Sequence, residues 1–134
     1  MISLMELIRG VILSSRCALA GLAYAFRTQR NLRIHLTTAV GVVTAGLILR
    51  FNRAEVVLLV LTISIVLMGE LLNTSVELLL NLLESRDHPV VRVAKDVAAG
   101  AVLMTILGAV GVGLILFGPH LCAAISCSRC FLGP

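Results

Sequence analysis

The sequence predicts an all-α integral membrane protein, built as an N-terminal interfacial amphipathic helix followed by three transmembrane helices. Three observations predict it. Of the 134 residues, 59% are hydrophobic and 13% are charged, against about 45–50% and about 25% in ordinary soluble domains. A soluble domain this small leaves a large share of its surface in water, and that surface needs charge. The mean hydropathy of +1.06 has the same sign. The apolar residues also run in long charge-free blocks separated by arginines. Leu, Val and Ile are far too abundant for a disordered chain, and 134 residues are too few for a multidomain enzyme. Residues 1–134 therefore read as a single membrane domain.

Residues 2–30 form the first element. Leu4, Ile8, Val11, Ile12, Leu19, Leu22 and Phe26 recur at helical spacing, with Glu6, Arg9, Arg16 and Arg27 among them. The charge-free stretches are too short to span, so this helix is expected to lie in the interface plane. Its start mimics a signal peptide only loosely, since Glu6 and Arg9 interrupt the apolar part. The first span is expected over 34–51. Residues 34–49 carry no formal charge and cover about 24 Å as helix, with Arg33 and Arg50 able to snorkel at its two ends. The second span covers 56–83, about 42 Å of helix, which exceeds a hydrocarbon core of about 30 Å, so one end should project. Residues 84–96 are the only strongly polar stretch, and Asp87-His88-Pro89 is a stop-and-turn signal. The third span, 97–118, opens on Ala98, Ala99, Gly100 and Ala101, small residues that let helices approach. Gly118-Pro119 is expected to end it, leaving 119–134 as a tail.

The net charge is +4, and arginine supplies ten of the eleven basic residues; Lys95 is the only lysine. With no Trp and one Tyr, this balance points to anionic headgroups rather than nucleic acid. Five arginines precede residue 34, two lie in 50–55, and three basic residues lie in 84–96. The positive-inside rule then places the N-terminus in the cytoplasm and the C-terminus outside.

The second span carries the chemistry. With Glu70 at 0° and about 100° per residue, Glu77, Asn81, Glu84, Thr74 and Asn73 all fall within roughly 100° of one face. A carboxylate at membrane depth costs a few kcal/mol, so it should face protein, water or a cation. A helix–helix interface accounts for Asn73, Thr74 and Asn81 but not for two glutamates. If about eight residues project, Glu70 lies about 7 Å below the membrane boundary and Glu77 just above it. That suits chemistry between a lipid hydroxyl and a water-soluble, metal-bound phosphate. An alternative reading uses the same stripe in a non-catalytic small subunit or a cation- or proton-conducting module.

Glu70-Leu-Leu-Asn73-Thr-Ser-Val-Glu77, followed by Ala94-Lys95-Asp96, resembles the prokaryotic diacylglycerol kinase family. Thr28-Gln29-Arg30-Asn31-Leu-Arg33-Ile-His35 is more similar to its undecaprenol kinase branch. The resemblance covers about residues 12–118. It implies an ATP-dependent kinase for diacylglycerol or undecaprenol in a bacterial inner membrane, working as a homotrimer with shared sites and with Mg²⁺ as divalent cation. By that resemblance Glu70 is the catalytic base and Glu77 holds the metal on the ATP phosphates. Lys95 and Asp96 contact the nucleotide with the Arg86-Asp87-His88 turn. Asn73 positions groups near Glu70, and Arg30, Asn31 and Arg33 flank the substrate. Gln29 stands where the family usually has a metal-binding Glu, so the metal shell loses about one negative charge. Neither a Walker loop nor a protein-kinase signature is present.

Cys17, Cys122, Cys127 and Cys130 make no disulfide framework. His120 with the last three cysteines has irregular metal-ligand spacing and reads as incidental to an apolar tail. His35 and His88 read as interfacial hydrogen-bonding groups.

Overall fold

The computed structural model describes residues 3–83 and 88–131. They form four helices in chain order: α1 (Leu4–Thr28), α2 (Arg30–Ile48), α3 (Arg53–Leu83) and α4 (Pro89–Phe131). The described residues contain no strand. All four helices are long and apolar enough to cross a membrane. Large apolar side chains point outward along each of them, Leu82 and Met5 among the most exposed. Buried inside are Glu70 and Thr74, at 4% and 5% exposure. Apolar side chains outside and a carboxylate within is the pattern lipid imposes, and the chain is an all-α membrane protein.

Helix boundaries follow from local chemistry. Ser3 and Glu6 form a capping box at the start of α1: Ser3 Oγ accepts from Met5 N at 3.2 Å, and Glu6 Oε2 accepts from Ser3 N at 3.0 Å. A single extended residue, Gln29 (φ −97°, ψ 115°), separates α1 from α2. The chain therefore turns within one residue, and Arg30, Asn31 and Arg33 lie in the first turn of α2.

The first span ends earlier than the expected residue 51. Phe51 N donates to Gly46 O at 3.0 Å and Arg50 N to Leu47 O at 3.1 Å, the two bonds of a Schellman cap. The cap puts Arg50 at φ 57°, a conformation that usually takes glycine. Phe51 folds back so closely that a Cβ on Gly46 would sit 3.1 Å from its ring. At α3, Asn52 Oδ1 accepts from Ala54 N and Glu55 N, and Glu55 Oε2 accepts from Asn52 N at 2.7 Å.

The third span is longer at both ends than the sequence suggests. Pro89 starts α4 instead of marking a turn away from helix, because a first-turn proline gives up no hydrogen bond. His88 caps it: its carbonyl accepts from Val91 N and Arg92 N, and its Nδ1 from Val90 N at 3.3 Å. Residues 89–96, expected as connection, are helical. Gly118-Pro119 does not end the helix either, and 119–131 continue α4. Pro119 removes one N–H from the ladder, a defect membrane helices tolerate when other groups serve the freed carbonyls. The carbonyl left without its ladder donor is that of Ile115, and beside it His120 Nδ1 lies 3.1 Å from Leu116 O.

Helix α3 is the centre of the bundle, packed most extensively on α4 and next on α2. Small residues allow this: a Cβ on Gly69 would meet Thr105 at 3.4 Å. Leu59, Val66, Val102 and Leu116 fill the seam.

Candidate active site

Glu70 is held on α3 a little past the middle of the helix, in a chamber lined by α2, α3 and α4. Its Oε1 lies 3.1 Å from Nε2 of His35 on α2. Thr74, one turn on, spends its hydroxyl on the Glu70 backbone carbonyl at 2.9 Å, so it does not satisfy the carboxylate. Asn73 Nδ2 donates to Glu77 Oε1 at 3.1 Å, the i, i+4 spacing of one helix face. The other amide atom, Asn73 Oδ1, is buried and has no partner. Further along, Lys95 Nζ donates to Asn81 Oδ1 at 2.8 Å and ties the start of α4 to the end of α3.

The polar face is graded. Glu70 and Thr74 are buried, Asn73 and Glu77 half-buried, and Asn81 exposed. The stripe thus runs from the buried Glu70 to the exposed Asn81.

Two cavities meet at this point. One, of about 360 Å³, is lined by Asn31, His35, Glu70 and Asn73 on one side and by Val102 and Ile106 of α4 on the other. The second, of about 290 Å³, is lined almost wholly by apolar groups, from Ala39 and Val66 to Phe117. His35 and Ile106 line both. A chamber of mixed polarity that holds a carboxylate therefore adjoins an apolar cleft within the bundle.

The structure gathers Glu70, Asn73 and Asn31 around that chamber, with Glu77 beside it through its hydrogen bond to Asn73 and Lys95 further along the same helix face through Asn81. It does not gather the rest. Arg30 and Arg33 are exposed on the first turn of α2, Asp96 is exposed, and Gln29 is half-buried at the α1–α2 break. His88 serves as a cap. Arg86, Asp87 and Glu84 lie outside the described residues, as do the side chains of Cys127 and Cys130. Cys17 and Cys122 are exposed and free. The residue the sequence reading undervalued is His35, read there as an interfacial group. The available signal was a titratable residue one turn inside an apolar span, where ionisable groups are usually functional.

Among the described residues no cluster of three His, Cys, Asp or Glu groups forms a ready-made metal cage. The donor set still suits Mg²⁺, which keeps water and phosphate ligands and takes one or two protein oxygens. Glu77 offers a half-buried carboxylate and Asn73 an unpartnered buried oxygen.

Comparison with known proteins identifies the family. Residues 16–117 match the family described as Prokaryotic diacylglycerol kinase. The diacylglycerol kinase of Synechocystis sp. is 45% identical over 112 residues, 83% of this chain. The match spans 64% of that relative's own length. The undecaprenol kinase of Bacillus subtilis is 35% identical over 95 residues, covering 71% of this chain and 77% of that protein. The chain belongs to the prokaryotic diacylglycerol kinase family.

Proposed function

We propose that the protein is an ATP-dependent lipid kinase that phosphorylates the hydroxyl of diacylglycerol or undecaprenol at the cytoplasmic face of a bacterial cell membrane. The observation that carries this reading is the buried Glu70 carboxylate opening onto a chamber that adjoins an apolar cleft. A lipid hydroxyl fits the chamber and its tail the cleft. An ion or proton path would need a run of polar groups beyond His35, where the lining is mostly apolar, from Val66 and Ile106 to Phe117, with only the Thr38 and Thr62 hydroxyls among the polar side chains.

In the reaction the lipid oxygen attacks the γ-phosphorus of ATP. Its proton passes to the Glu70 carboxylate, the bond to the β-phosphate oxygen breaks, and ADP leaves. A positioned base contributes about 10²–10⁴-fold to such a step. Phosphoryl transfer otherwise needs positioning and charge neutralisation. Glu77, with Asn73 Oδ1 beside it, would hold Mg²⁺, which supplies neutralisation of the phosphate charge. Lys95 and Asp96 reach the nucleotide from the start of α4, on the water-facing end of the polar stripe, with Arg86, Asp87 and His88 nearby in sequence. Arg30, Asn31 and Arg33 face the headgroup layer from the start of α2, and Gln29 stands at the edge of the metal shell.

Helix α1 lies in the interface with the N-terminus cytoplasmic, and copies of the chain assemble as a homotrimer. One chain leaves Asn81 exposed and Asn73, Glu77 and Lys95 half-exposed, and neighbouring copies shield them.

The experiment is phosphate transfer from ATP with Mg²⁺ in detergent, with diacylglycerol and undecaprenol assayed side by side. Phosphorylation of either lipid by the wild type, lost in Glu70→Gln, is the expected result. ATP turnover that does not depend on an added lipid alcohol overturns the reading.

A further inference from the structure

We propose that His35 is a positioning residue for the general base: its Nε2–H donates to Glu70 Oε1 and leaves Oε2 to take the proton of the lipid hydroxyl. This rests on the assignment of Glu70 as base.

The geometry carries the inference. The 3.1 Å separation joins two different helices, so it is set by the α2–α3 packing and not by local chain geometry. The imidazole is the group within hydrogen-bonding distance of a carboxylate that is 5% exposed. Thr74, the nearest hydroxyl on the same turn, is committed to a backbone carbonyl. Asn73 directs its amide to Glu77. The other residues lining the chamber are Asn31, Ile34, Ala99, Val102, Leu103 and Ile106. Among the described residues that line it, Glu70 is therefore the one ionisable group facing His35, and α4 brings none.

A buried carboxylate rotates about its terminal torsion unless a partner fixes it, since that torsion is broad. It also needs a donor, because a buried charge without one is costly. His35 meets both needs. With Oε1 engaged, Oε2 is left as the acceptor, and Glu70 lines a chamber that His35 shares with the apolar cleft. The imidazole thus stands where the lipid tail and the reacting hydroxyl meet, and it sets which carboxylate oxygen the hydroxyl finds. During turnover the proton moves from lipid oxygen to Oε2 while the His35 proton stays on Nε2.

Amide side chains test this because they reproduce one ring nitrogen each. Gln at position 35 carries its NH₂ where Nε2 lies, and Asn carries it where Nδ1 lies. Full-length His35→Gln, His35→Asn and His35→Leu would be assayed at saturating lipid with ATP varied. The expected result is kcat within about 3-fold of wild type for His35→Gln and a fall of about 10- to 100-fold for His35→Asn and His35→Leu, the cost of a misplaced catalytic group. The KM for ATP should be unchanged in all three. Should His35→Leu fail to fold, the two polar variants still decide the matter. Equal kcat for His35→Gln and His35→Asn overturns the proposal, and so does a wild-type kcat in His35→Leu.

A second arm separates this proposal from the base assignment. In a Glu70→Gln background, His35→Asn should lower the residual rate no further, because the two groups act as one unit. An additive loss overturns the positioning role while leaving Glu70 as base. Near-wild-type turnover in Glu70→Gln alone removes the base assignment itself.

Discussion

Two histidine–glutamate pairs stand on α3 about 22 Å apart, and what surrounds them differs. Glu55, in the first turn, lies 3.8 Å from His120, and both side chains are more than a fifth exposed. Its Oε2 already caps the helix by accepting from Asn52 N at 2.7 Å. Glu70 lies 3.1 Å from His35 and is 5% exposed, with no capping duty. A capping carboxylate explains itself by the orphan amides it satisfies. A buried carboxylate facing a chamber does not, since replacing such a pair by apolar residues is often neutral or stabilising. Under the proposed function, the role of Glu70 as base accounts for that cost.

The sharpest way to break that contrast is Glu70→Gln. The amide keeps size and can still bond His35, but it cannot accept the lipid proton. Turnover should fall by about 10²-fold or more, while the thermal midpoint in detergent stays level or rises. Measuring both on one preparation matters: loss of activity together with loss of folding would place Glu70 with Glu55, as structure.

How far this site was legible in the sequence depends on which residues are considered. The polar face of α3 was legible because helical periodicity fixes angular position, and Glu70, Asn73 and Glu77 do share one face. The His35–Glu70 contact was not, because 35 residues separate the two and periodicity says nothing about which faces of two helices meet. The ends of α4 were misread for a different reason. Proline marks a boundary in both directions, and Pro89 opens a helix while Pro119 sits inside one.

Glu77→Gln probes the water-facing side of the same stripe. Removing the charge should shift the Mg²⁺ concentration for half-maximal activity upward by roughly 10-fold or more, as loss of a hard anionic ligand weakens a divalent site. The Asn73–Glu77 hydrogen bond at 3.1 Å can persist with an amide, so folding should be intact. An unchanged Mg²⁺ curve would move Glu77 out of the metal shell.

Gln29→Glu should act in the opposite sense and more weakly. Gln29 N-caps α2 without a side-chain hydrogen bond, and the first turn of α2 holds no acidic residue. A carboxylate there gains from the helix dipole, about 0.3–1 kcal/mol, wherever the metal is. That stabilisation alone would raise the thermal midpoint and leave the Mg²⁺ curve in place. If the residue also reaches the metal, half-maximal activity moves to lower Mg²⁺ by a few-fold. Titrating wild type, Gln29→Glu and Glu77→Gln at fixed ATP distinguishes a cap from a ligand.

The smallest effects belong to the Glu55 end, where the two partners should separate. His120 has other work there: its ring packs 4.9 Å from Phe51, which in turn lies 4.9 Å from Phe117. Its contact with Glu55, at 3.8 Å and partly solvated, is worth at most about 1 kcal/mol. Glu55, by contrast, closes a reciprocal cap in which Asn52 N donates to its carboxylate and Asn52 Oδ1 accepts from Ala54 N and Glu55 N. Glu55→Gln preserves an oxygen for that cap and should leave stability within about 0.5 kcal/mol. Glu55→Ala removes it and should cost about 1 kcal/mol. His120→Phe keeps the aromatic stack and removes only the ionic contact, so its midpoint should match wild type. In all three variants kcat should be unchanged, because nothing at this end touches the chamber around Glu70. A His120→Phe protein that stays folded yet loses turnover would mean the two ends of α3 are coupled, and the contrast between a capping carboxylate and a reacting one would fail.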